Sequence, residues 1–294
     1  MTRFITGLGI AVTLGLCLTR IGYSPAMPQY VADKRTADPW SGIAEHRSTG
    51  IEIRLRNQTS EKNESSAAMT GLLRDLAASR SKAASLGSYT AVLEMQEERN
   101  GRLTDPKIID IKFRPNPFSV YMYWRSNSQE ALFVGGQNDA KVLVRPPGGL
   151  AAFRRPWRLD PDSRLAKQSG RYPVTEVGLL KLTERVQSFY QNRMHRGQSV
   201  ECSTSLTSVP ENEYREYAVR FPNQTVCEEY SAAHYRFETK SGLLLLVENF
   251  SWGEDGDRPL VEKYGYDSID TSTSLNEADF DHRNPEYDFV ARTD

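Results

Sequence analysis

The chain has 294 residues, of which 38% are hydrophobic, and its formal net charge is −1 at pH 7. This length suits one large domain or two small ones, and the charge balance argues against general nucleic-acid binding, which needs a basic surface. Tyrosine is frequent, with 14 residues, and this favours a sheet-rich protein.

The first residues have the pattern of a targeting segment. Arg3 precedes an uncharged apolar run over residues 4–18, which is typical of the central region of a secretory signal and short for a membrane span. We interpret residues 1–26 as a signal peptide or an uncleaved N-terminal anchor, and we expect an exported protein of the periplasm or cell envelope. Lipidation at Cys17 is an alternative, although Leu16 stands where a lipoprotein signal needs a small residue.

Two further cysteines, Cys202 and Cys227, lie beyond this segment. In an oxidising compartment such a pair is expected to form a disulfide, which would contribute on the order of 3 kcal/mol to stability. The alternative is two separate buried thiols. There is no Cys-x-x-Cys pair, so the cysteines indicate neither a zinc site nor a redox role.

A polar stretch separates the targeting segment from the predicted domain. Residues 27–66 show no sustained hydrophobic period, and such a stretch cannot bury enough apolar area to offset its ordering entropy. It is therefore predicted to be a flexible linker, with a short strand over residues 51–55 as an alternative. A single ordered domain is then expected over residues 67–290.

Hydrophobic spacing predicts the elements of this domain. Apolar residues at helical spacing from Met69 predict a helix that ends near Gly87, and a second helix is expected from Thr175 to about Met194. Elsewhere, alternating apolar residues predict strands, and the unbroken apolar run over residues 243–247 predicts a strand covered on both faces. These strands cover residues 88–95, 108–113, 118–124, 131–135, 141–145, 214–221, 230–238, 243–250 and 261–269.

This order of elements predicts an α+β fold. About 9–11 strands would strain a flat open sheet, so we expect a strongly bent antiparallel sheet, a half-barrel with helices covering its concave face. The pattern is compatible with an open cavity beneath the helices and equally with a core filled by side chains.

The strand predicted over residues 118–124 is apolar on both faces. An antiparallel strand usually keeps one polar face toward water, so something must cover the second face. We expect Tyr121 and Tyr123 to point into the concavity, whereas the alternative places them on the convex surface. The candidate cavity-lining residues come from both faces, so not all of them can be correct: Phe118, Val120, Tyr121, Met122, Tyr123, Trp124 and Leu244.

Motifs of catalysis are absent from the sequence. There is no Gly-x-Ser-x-Gly elbow, no P-loop and no His-Glu-x-x-His helix. His234 lies in a predicted strand and is interpreted as a sheet-surface residue rather than a base. We therefore expect a protein that is not an enzyme and that uses no cofactor.

The acidic and aromatic tail over residues 279–289 allows two interpretations. Its carboxylates are possible oxygen ligands for a hard cation, but the Asn-Pro step inside it indicates a turn. We interpret Phe280, Tyr287 and Phe289 as the anchor of the tail on the sheet, and we predict no metal site.

Several segments of the chain resemble known families. The run KFRPNPFSVYMYWRSNSQEALFVGGQNDAKVLV over residues 112–144 resembles the LolA-type lipoprotein carriers. The segments SYTAVLEMQEERNG, FRPNPFSVYMYW, RLDPDSR, SGRYPVTEVGLLKL and DFDHRNPEYDF together resemble the family catalogued as domain of unknown function 1571, from planctomycete-type bacteria. This second resemblance covers residues 72–289.

The resemblance to LolA, LolB and RseB-type proteins implies a half-open sheet around a hydrophobic cavity, closed by helices as a lid. In LolA carriers such a cavity holds acyl chains, and the arginine of an Arg-Pro-Asn step, here Arg114, helps to hold the lid. The insert over residues 147–172 and the segment between Cys202 and Cys227 have no counterpart in those carriers.

Two functional hypotheses follow. The first is an exported, non-enzymatic binding module that holds a lipid or other apolar ligand in the cavity. The alternative is an RseB-like envelope module with a filled cavity, which binds or senses another envelope protein. The basic loop over residues 154–171 is interpreted as solvated. The alternative is membrane contact, either through this loop, whose charge suits anionic head groups, or through the N-terminal anchor.

Overall fold

The computed structural model describes residues 51–146, 155–194, 200–210 and 212–289. The predicted targeting segment, Cys17 and residues 27–50 of the predicted linker lie outside them. Helices and strands were assigned in chain order as α1 Ile51–Ser85, β1 Tyr89–Arg99, β2 Arg102–Leu103, β3 Lys107–Pro115, β4 Phe118–Trp124, β5 Gln129–Val134, β6 Val142–Arg145, β7 Trp157–Leu159, α2 Leu179–Met194, β8 Glu201–Val209, β9 Asn212–Arg220, β10 Ala232–Glu238, β11 Leu244–Phe250 and β12 Leu260–Asp270.

The strands form one antiparallel sheet. Its order is β7-β6-β5-β4-β3-β1-β12-β11-β10-β9-β8, and β2 pairs only with β1. The sheet does not close, because β7 and β8 stand at its two edges. The α+β class is confirmed, with 12 strands in the described part of the chain rather than 9–11.

Three of these strands were not predicted. β2 and β7 have only two and three residues, which is too short for a visible alternation. β8 is exposed at most positions on both sides, so its sequence ECSTSLTSV carries no alternating apolar pattern.

Both helices pack against one face of the sheet, which we call the helix face. Leu72 and Leu76 of α1 are fully buried. The Ser79 hydroxyl of α1 accepts a hydrogen bond from the Leu244 backbone N–H of β11 at 2.8 Å and lies 3.4 Å from the Thr183 hydroxyl of α2. These contacts join both helices to the strand and confirm helices as the cover of this face.

The first helix is longer than predicted. It begins at Ile51, so the short strand considered as an alternative over residues 51–55 is wrong, and residues 51–66 of the expected linker are helical. This stretch contains neither Gly nor Pro, and Glu, Arg, Lys and Leu favour a helix. The sequence did not predict a helix over residues 51–66, because this stretch lacks the apolar stripe by which the helix from Met69 was recognised.

The opposite face, which we call the outer face, is covered by residues 275–289, the C-terminal segment. Phe280, Tyr287 and Phe289 pack on Tyr121 and on the side chains of β5 and β6 beside it. The Tyr121 and Tyr287 rings stack with centroids 3.9 Å apart and planes 11° apart. The predicted anchoring of the tail is confirmed, and this segment is what covers the second face of β4.

Neither helix in the described part of the chain combines the length and the apolar character that crossing a membrane requires.

Candidate functional site

A cavity of about 70 Å³ lies on the helix face, under the half of the sheet that contains β4. Its floor consists of side chains from β1, β4, β5, β6 and β12. Its cover is the connection between β7 and α2, residues 160–178, which we call the roof, together with the first turns of α2. The residues that line it are Leu93, Met95, Met122, Trp124, Gln129, Ala131, Val142, Val144, Ala166, Gly170, Tyr172, Val174, Glu176, Val177, Leu182, Arg185, Tyr264 and Tyr266.

Strand register explains why the floor residues meet. Met122 pairs with Ala131, and Ala131 pairs with Val144 on the next strand. Cross-strand partners in an antiparallel sheet point to the same side. One apolar row therefore runs across β4, β5 and β6 beneath the roof.

The predicted lining residues divide into three groups. Met122 and Trp124 line the cavity. Phe118 and Val120 share their face but are packed within the core, where the Phe118 ring meets Phe113 at 5.5 Å between centroids. Leu244 is buried under α1, in the half of the sheet that the helices fill.

The placement of Tyr121 and Tyr123 in the concavity is wrong. Both lie on the outer face, where Tyr121 is buried under the C-terminal segment and Tyr123 packs beside the same cluster. Alternation correctly separated the two faces of β4. It could not show which face the helices cover, because both faces are equally apolar.

Arg114 does not hold the helical lid. It points to the outer face, where its Nη1 donates to Glu277 Oε1 at 2.5 Å and its Nη2 donates to the Ser119 hydroxyl at 3.0 Å. The guanidinium also lies 4.6 Å from the centroid of the Phe280 ring. Its role is therefore to hold the C-terminal segment against the sheet.

The roof is held at one edge by two buried glutamates, Glu97 of β1 and Glu262 of β12, which are direct cross-strand partners. Arg171 of the roof donates from its Nη1 to Glu262 Oε2 at 2.8 Å and from its backbone N–H to Glu97 Oε1 at 2.7 Å. The Tyr172 hydroxyl also donates to Glu262, at 3.2 Å. The cover over the cavity thus depends on a compact polar latch, which we define as Glu97, Glu262, Arg171 and Tyr172.

The two glutamates differ in acidity. Burial raises the pKa of Glu262 above its ordinary value despite the nearby Arg171 and Arg185 charges. Burial would also raise the pKa of Glu97, but hydrogen bonds from Tyr264, the Arg171 backbone and Arg99 outweigh it and lower that pKa. Within the latch, Glu97 therefore stays ionised to a lower pH than Glu262 does.

The roof turns into α2 at Gly178. This residue has φ +117°, and a Cβ added there would approach the Phe113 ring to 2.8 Å. Its backbone N–H donates to the Tyr266 hydroxyl at 3.0 Å, and the next N–H, of Leu179, donates to the Tyr89 hydroxyl at 3.1 Å. Only glycine fits this junction, because the φ value and the close ring both exclude a side chain.

Arg185 places a cation among the apolar lining. Its guanidinium stacks 3.7 Å from the Tyr172 ring centroid and lies 5.5 Å from that of Tyr264. The sequence interpretation missed Arg185 together with the roof residues, because residues 154–171 were interpreted as a basic loop and residues 175–178 as the start of the second helix. A signal was present, since Arg185 follows Leu182 by three positions and so interrupts the apolar stripe of α2.

The predicted disulfide between Cys202 and Cys227 is absent, and both residues are buried free thiols. Each thiol has its own surroundings: Cys202 Sγ lies 3.8 Å from the Ser203 carbonyl, whereas Cys227 Sγ accepts from the Tyr230 N–H at 3.3 Å and donates to Glu229 at 3.4 Å. Burial raises the pKa of Cys202 to about 12 and that of Cys227 to about 11. Thiols with such pKa values are poor nucleophiles at neutral pH.

Other polar clusters in the described residues offer little chemistry. They contain no group of three or more His, Cys, Asp or Glu residues arranged to hold a metal ion. His234 lies on the outer face, as expected, but it is buried there between Glu216 and Glu248 rather than solvated.

Comparison with known proteins identifies a family and several distant structural neighbours. The family model described as "Protein of unknown function (DUF1571)" matches residues 86–289. That range contains the sheet, the roof, α2 and the C-terminal segment, and it confirms the resemblance seen in the sequence. Among the curated proteins, none matches this chain.

The solved structures that resemble this chain include LolA-superfamily proteins. A LolA superfamily protein from Nitrosomonas europaea is 11% identical, with 71% of this chain and 96% of that chain covered and a TM-score of 0.31. Lipoprotein LppX from Mycobacterium tuberculosis is 10% identical, with 70% and 99% covered and a TM-score of 0.40. MucB, solved in complex with MucA, is 15% identical, with 72% and 58% covered and a TM-score of 0.38.

Proposed function

This chain belongs to the family described as protein of unknown function DUF1571, and from that premise we propose that it is an exported, non-enzymatic binding module for an apolar ligand. The observation that carries the proposal is the cavity under the roof. Most of its lining is aliphatic or aromatic, and it lies between a rigid sheet and a covering segment. Ligand sites of proteins commonly have this composition, with a few polar groups that fix orientation.

Ligand entry requires the roof to move. The cavity of about 70 Å³ is smaller than the roughly 300–1,000 Å³ typical of sites for drug-sized ligands. The polar latch offers a way to open, because its hydrogen bonds can be exchanged for water when Arg171 and Tyr172 lift away. We propose that the roof is a lid and that the ligand occupies the space it leaves.

The half of the sheet under α1 supports the alternative function. There Tyr217, Phe237 and Leu244 are buried beneath the helices, and the space is filled by the protein's own side chains. A filled core of this kind suits a module that engages another envelope protein through its surface. Ligand binding by the purified protein distinguishes the binding module from the protein-interaction module.

The test is ligand binding by protein exported to a bacterial envelope and purified without detergent. Lipid mass spectrometry of a solvent extract would identify any bound amphiphile, and titration with the apolar fluorophore N-phenyl-1-naphthylamine would measure the open site. Ala131→Leu places extra side-chain volume in the cavity floor and is expected to weaken fluorophore binding at least tenfold. Ala77→Leu makes the same change at an exposed position of α1 and should bind as the wild type does.

Saturable binding near one fluorophore per chain, weakened only by Ala131→Leu, would support the cavity. Thermal unfolding of both variants would verify that they are folded. If the folded wild-type protein neither carries a lipid nor binds the fluorophore, the binding-module proposal is wrong and the protein-interaction alternative is favoured.

A further inference from the structure

Two buried nitrogen atoms of the cavity lining lack a hydrogen-bond partner among the described residues. They are Nη1 of Arg185 and Nε1 of Trp124. The Trp124 side chain is only 6% exposed. A buried donor without a partner destabilises the folded protein, and more so when it is charged, so two in one small cavity need an explanation.

The surrounding acids do not neutralise Arg185 directly. Glu262, the acid whose charge acts on it, has its oxygens engaged by Arg171, Tyr172 and Asn249. Glu176 also lines the cavity and is half-buried. No ion pair to Arg185 occurs within the described part of the chain, where its guanidinium is held instead by the Tyr172 ring.

The chemistry of these two groups defines the ligand. Guanidinium nitrogens and the indole N–H are donors only, so they require an acceptor. Arginine binds carboxylate and phosphate oxygens through charge-assisted hydrogen bonds, often two at once. Most of the remaining floor, including Met95, Val142 and Val144, offers apolar surface to a ligand, and the amide of Gln129 is a polar exception.

We propose that the cavity binds an amphiphile with one anionic head group, whose oxygens accept hydrogen bonds from Arg185 and Trp124 while its hydrocarbon chain lies along the apolar floor. This inference rests on the proposed binding function and names its ligand class, a long-chain carboxylate or a similar single-chain anion. A neutral alcohol of the same length offers one uncharged oxygen to the two donors, and a quaternary ammonium head group offers no acceptor at all.

The test compares three probes with the same twelve-carbon chain by isothermal titration calorimetry at pH 8, the two ionic probes below their micelle concentrations and the alcohol below its solubility limit. The probes are dodecanoate, dodecanol and dodecyltrimethylammonium. The wild-type protein is expected to bind dodecanoate at least tenfold more tightly than dodecanol and to bind the cation most weakly. Arg185→Met should remove the preference for dodecanoate, while dodecanol binding persists. Trp124→Phe keeps an aromatic ring without the N–H and should reduce the same preference.

Arg193→Met is the matched control. Arg193 lies on the same helix and stacks 4.2 Å from the Phe189 ring centroid, but it pairs with Glu229 and is not part of the cavity lining. This variant should keep the wild-type preference for dodecanoate. Arg185→Lys preserves the charge and is expected to retain part of the preference for dodecanoate. This variant serves as the test if Arg185→Met does not fold.

Each outcome is informative. If the wild type binds dodecanol as tightly as dodecanoate, the anionic head-group proposal is overturned while the apolar cavity stands. If dodecanoate is preferred but neither Arg185 variant changes that preference, the assignment of the head group to Arg185 is wrong. If none of the probes binds, the proposed function itself fails.

Discussion

At the scale of single residues, His234 is the side chain whose charge is most closely tied to its neighbours. Its Nδ1 lies 3.0 Å from Glu248 Oε2 and its Nε2 lies 3.7 Å from Glu216 Oε2. Arg236 pairs with Glu216 at 2.7 Å, and Lys263 acts on Glu248 from the next strand. Burial would lower the pKa of His234, but the two glutamates outweigh it and raise that pKa above its ordinary value of 6.5.

The pH dependence follows from the directions of these shifts. A histidine whose folded pKa is raised contributes stability that is fully present below its unfolded pKa of 6.5 and is lost as the pH rises through the folded pKa. The carboxylates act in the opposite sense: the pKa of Glu216 is lowered to about 2 and that of Glu248 is lowered as well, so their contribution is lost as the pH falls below 4.5. The three residues together stabilise the fold most between about pH 4.5 and pH 6.5.

We predict that His234→Gln lowers the free energy of unfolding by about 1–3 kcal/mol at pH 5.5, because it removes a charged partner from two buried carboxylates. At pH 9 the difference from the wild type should be smaller. Urea denaturation of both proteins at the two pH values measures it. An equal difference at both values would show that His234 is not protonated in the folded protein.

At the scale of elements, the C-terminal segment determines whether the outer face of the first half of the sheet is covered. Tyr287 is its central contact: the ring stacks on Tyr121, and the hydroxyl donates to the Asp279 carbonyl at 2.6 Å. Lys112 of β3 joins the same segment, with its ammonium 2.8 Å from Asp279 Oδ1. The segment therefore acts as part of the fold rather than as a free tail.

We predict that Tyr287→Ala costs about 3–5 kcal/mol of stability, as is typical for truncating a buried aromatic side chain. Hydrogen exchange in β4 and β5 should rise more than in β10 and β11, because only the first pair of strands loses its cover. Glu286→Ala, one residue away and 74% exposed, should change stability by less than about 0.5 kcal/mol. A comparable loss in both variants would contradict the assigned role of the Tyr287 ring.

Local sequence patterns predicted much of this fold and little of the cavity under the roof. Apolar patterns predicted nine of the strands, by alternation in most of them and by an unbroken apolar run over residues 243–247 for β11, and the aromatic residues of the tail were correctly assigned to anchoring. The face that Tyr121 occupies could not be predicted, because the covering segment lies more than 150 positions away in the sequence. Arg185 is visible in the sequence as a cation within the apolar stripe of α2, but its place in the cavity lining depends on which part of the chain folds over the sheet.

At the scale of the whole molecule, the sheet supports two different interiors on one face. Under α1 and α2, side chains fill the space around Leu244 and Tyr217. Under the roof, a cavity remains between the cover and the floor, because the cover there is mainly a connecting segment rather than two packed helices. The filled half is completed by α1, whose Leu72 and Leu76 are fully buried.

The matched family region begins at residue 86, after α1 has ended, yet the packing makes α1 indispensable. Leu76 is 0% exposed, and Asp75 beside it accepts hydrogen bonds from the Tyr217 hydroxyl at 2.8 Å and from Arg215 at 3.1 Å. Without the helix, the apolar row beneath it would face water. A chain over residues 86–289 should therefore fail to unfold cooperatively, whereas one over residues 51–289 should unfold in a single transition.

A point substitution separates this packing effect from the effect of shortening the chain. Leu76→Ala is expected to lower the free energy of unfolding by about 2–5 kcal/mol, because it removes fully buried methyl groups and leaves a cavity. Leu206→Ala makes the same change on β8, where the side chain is 60% exposed, and should cost less than about 0.5 kcal/mol. Urea denaturation of the two variants gives both values, and equal values would mean that α1 lies on the surface of the domain rather than forming part of its core.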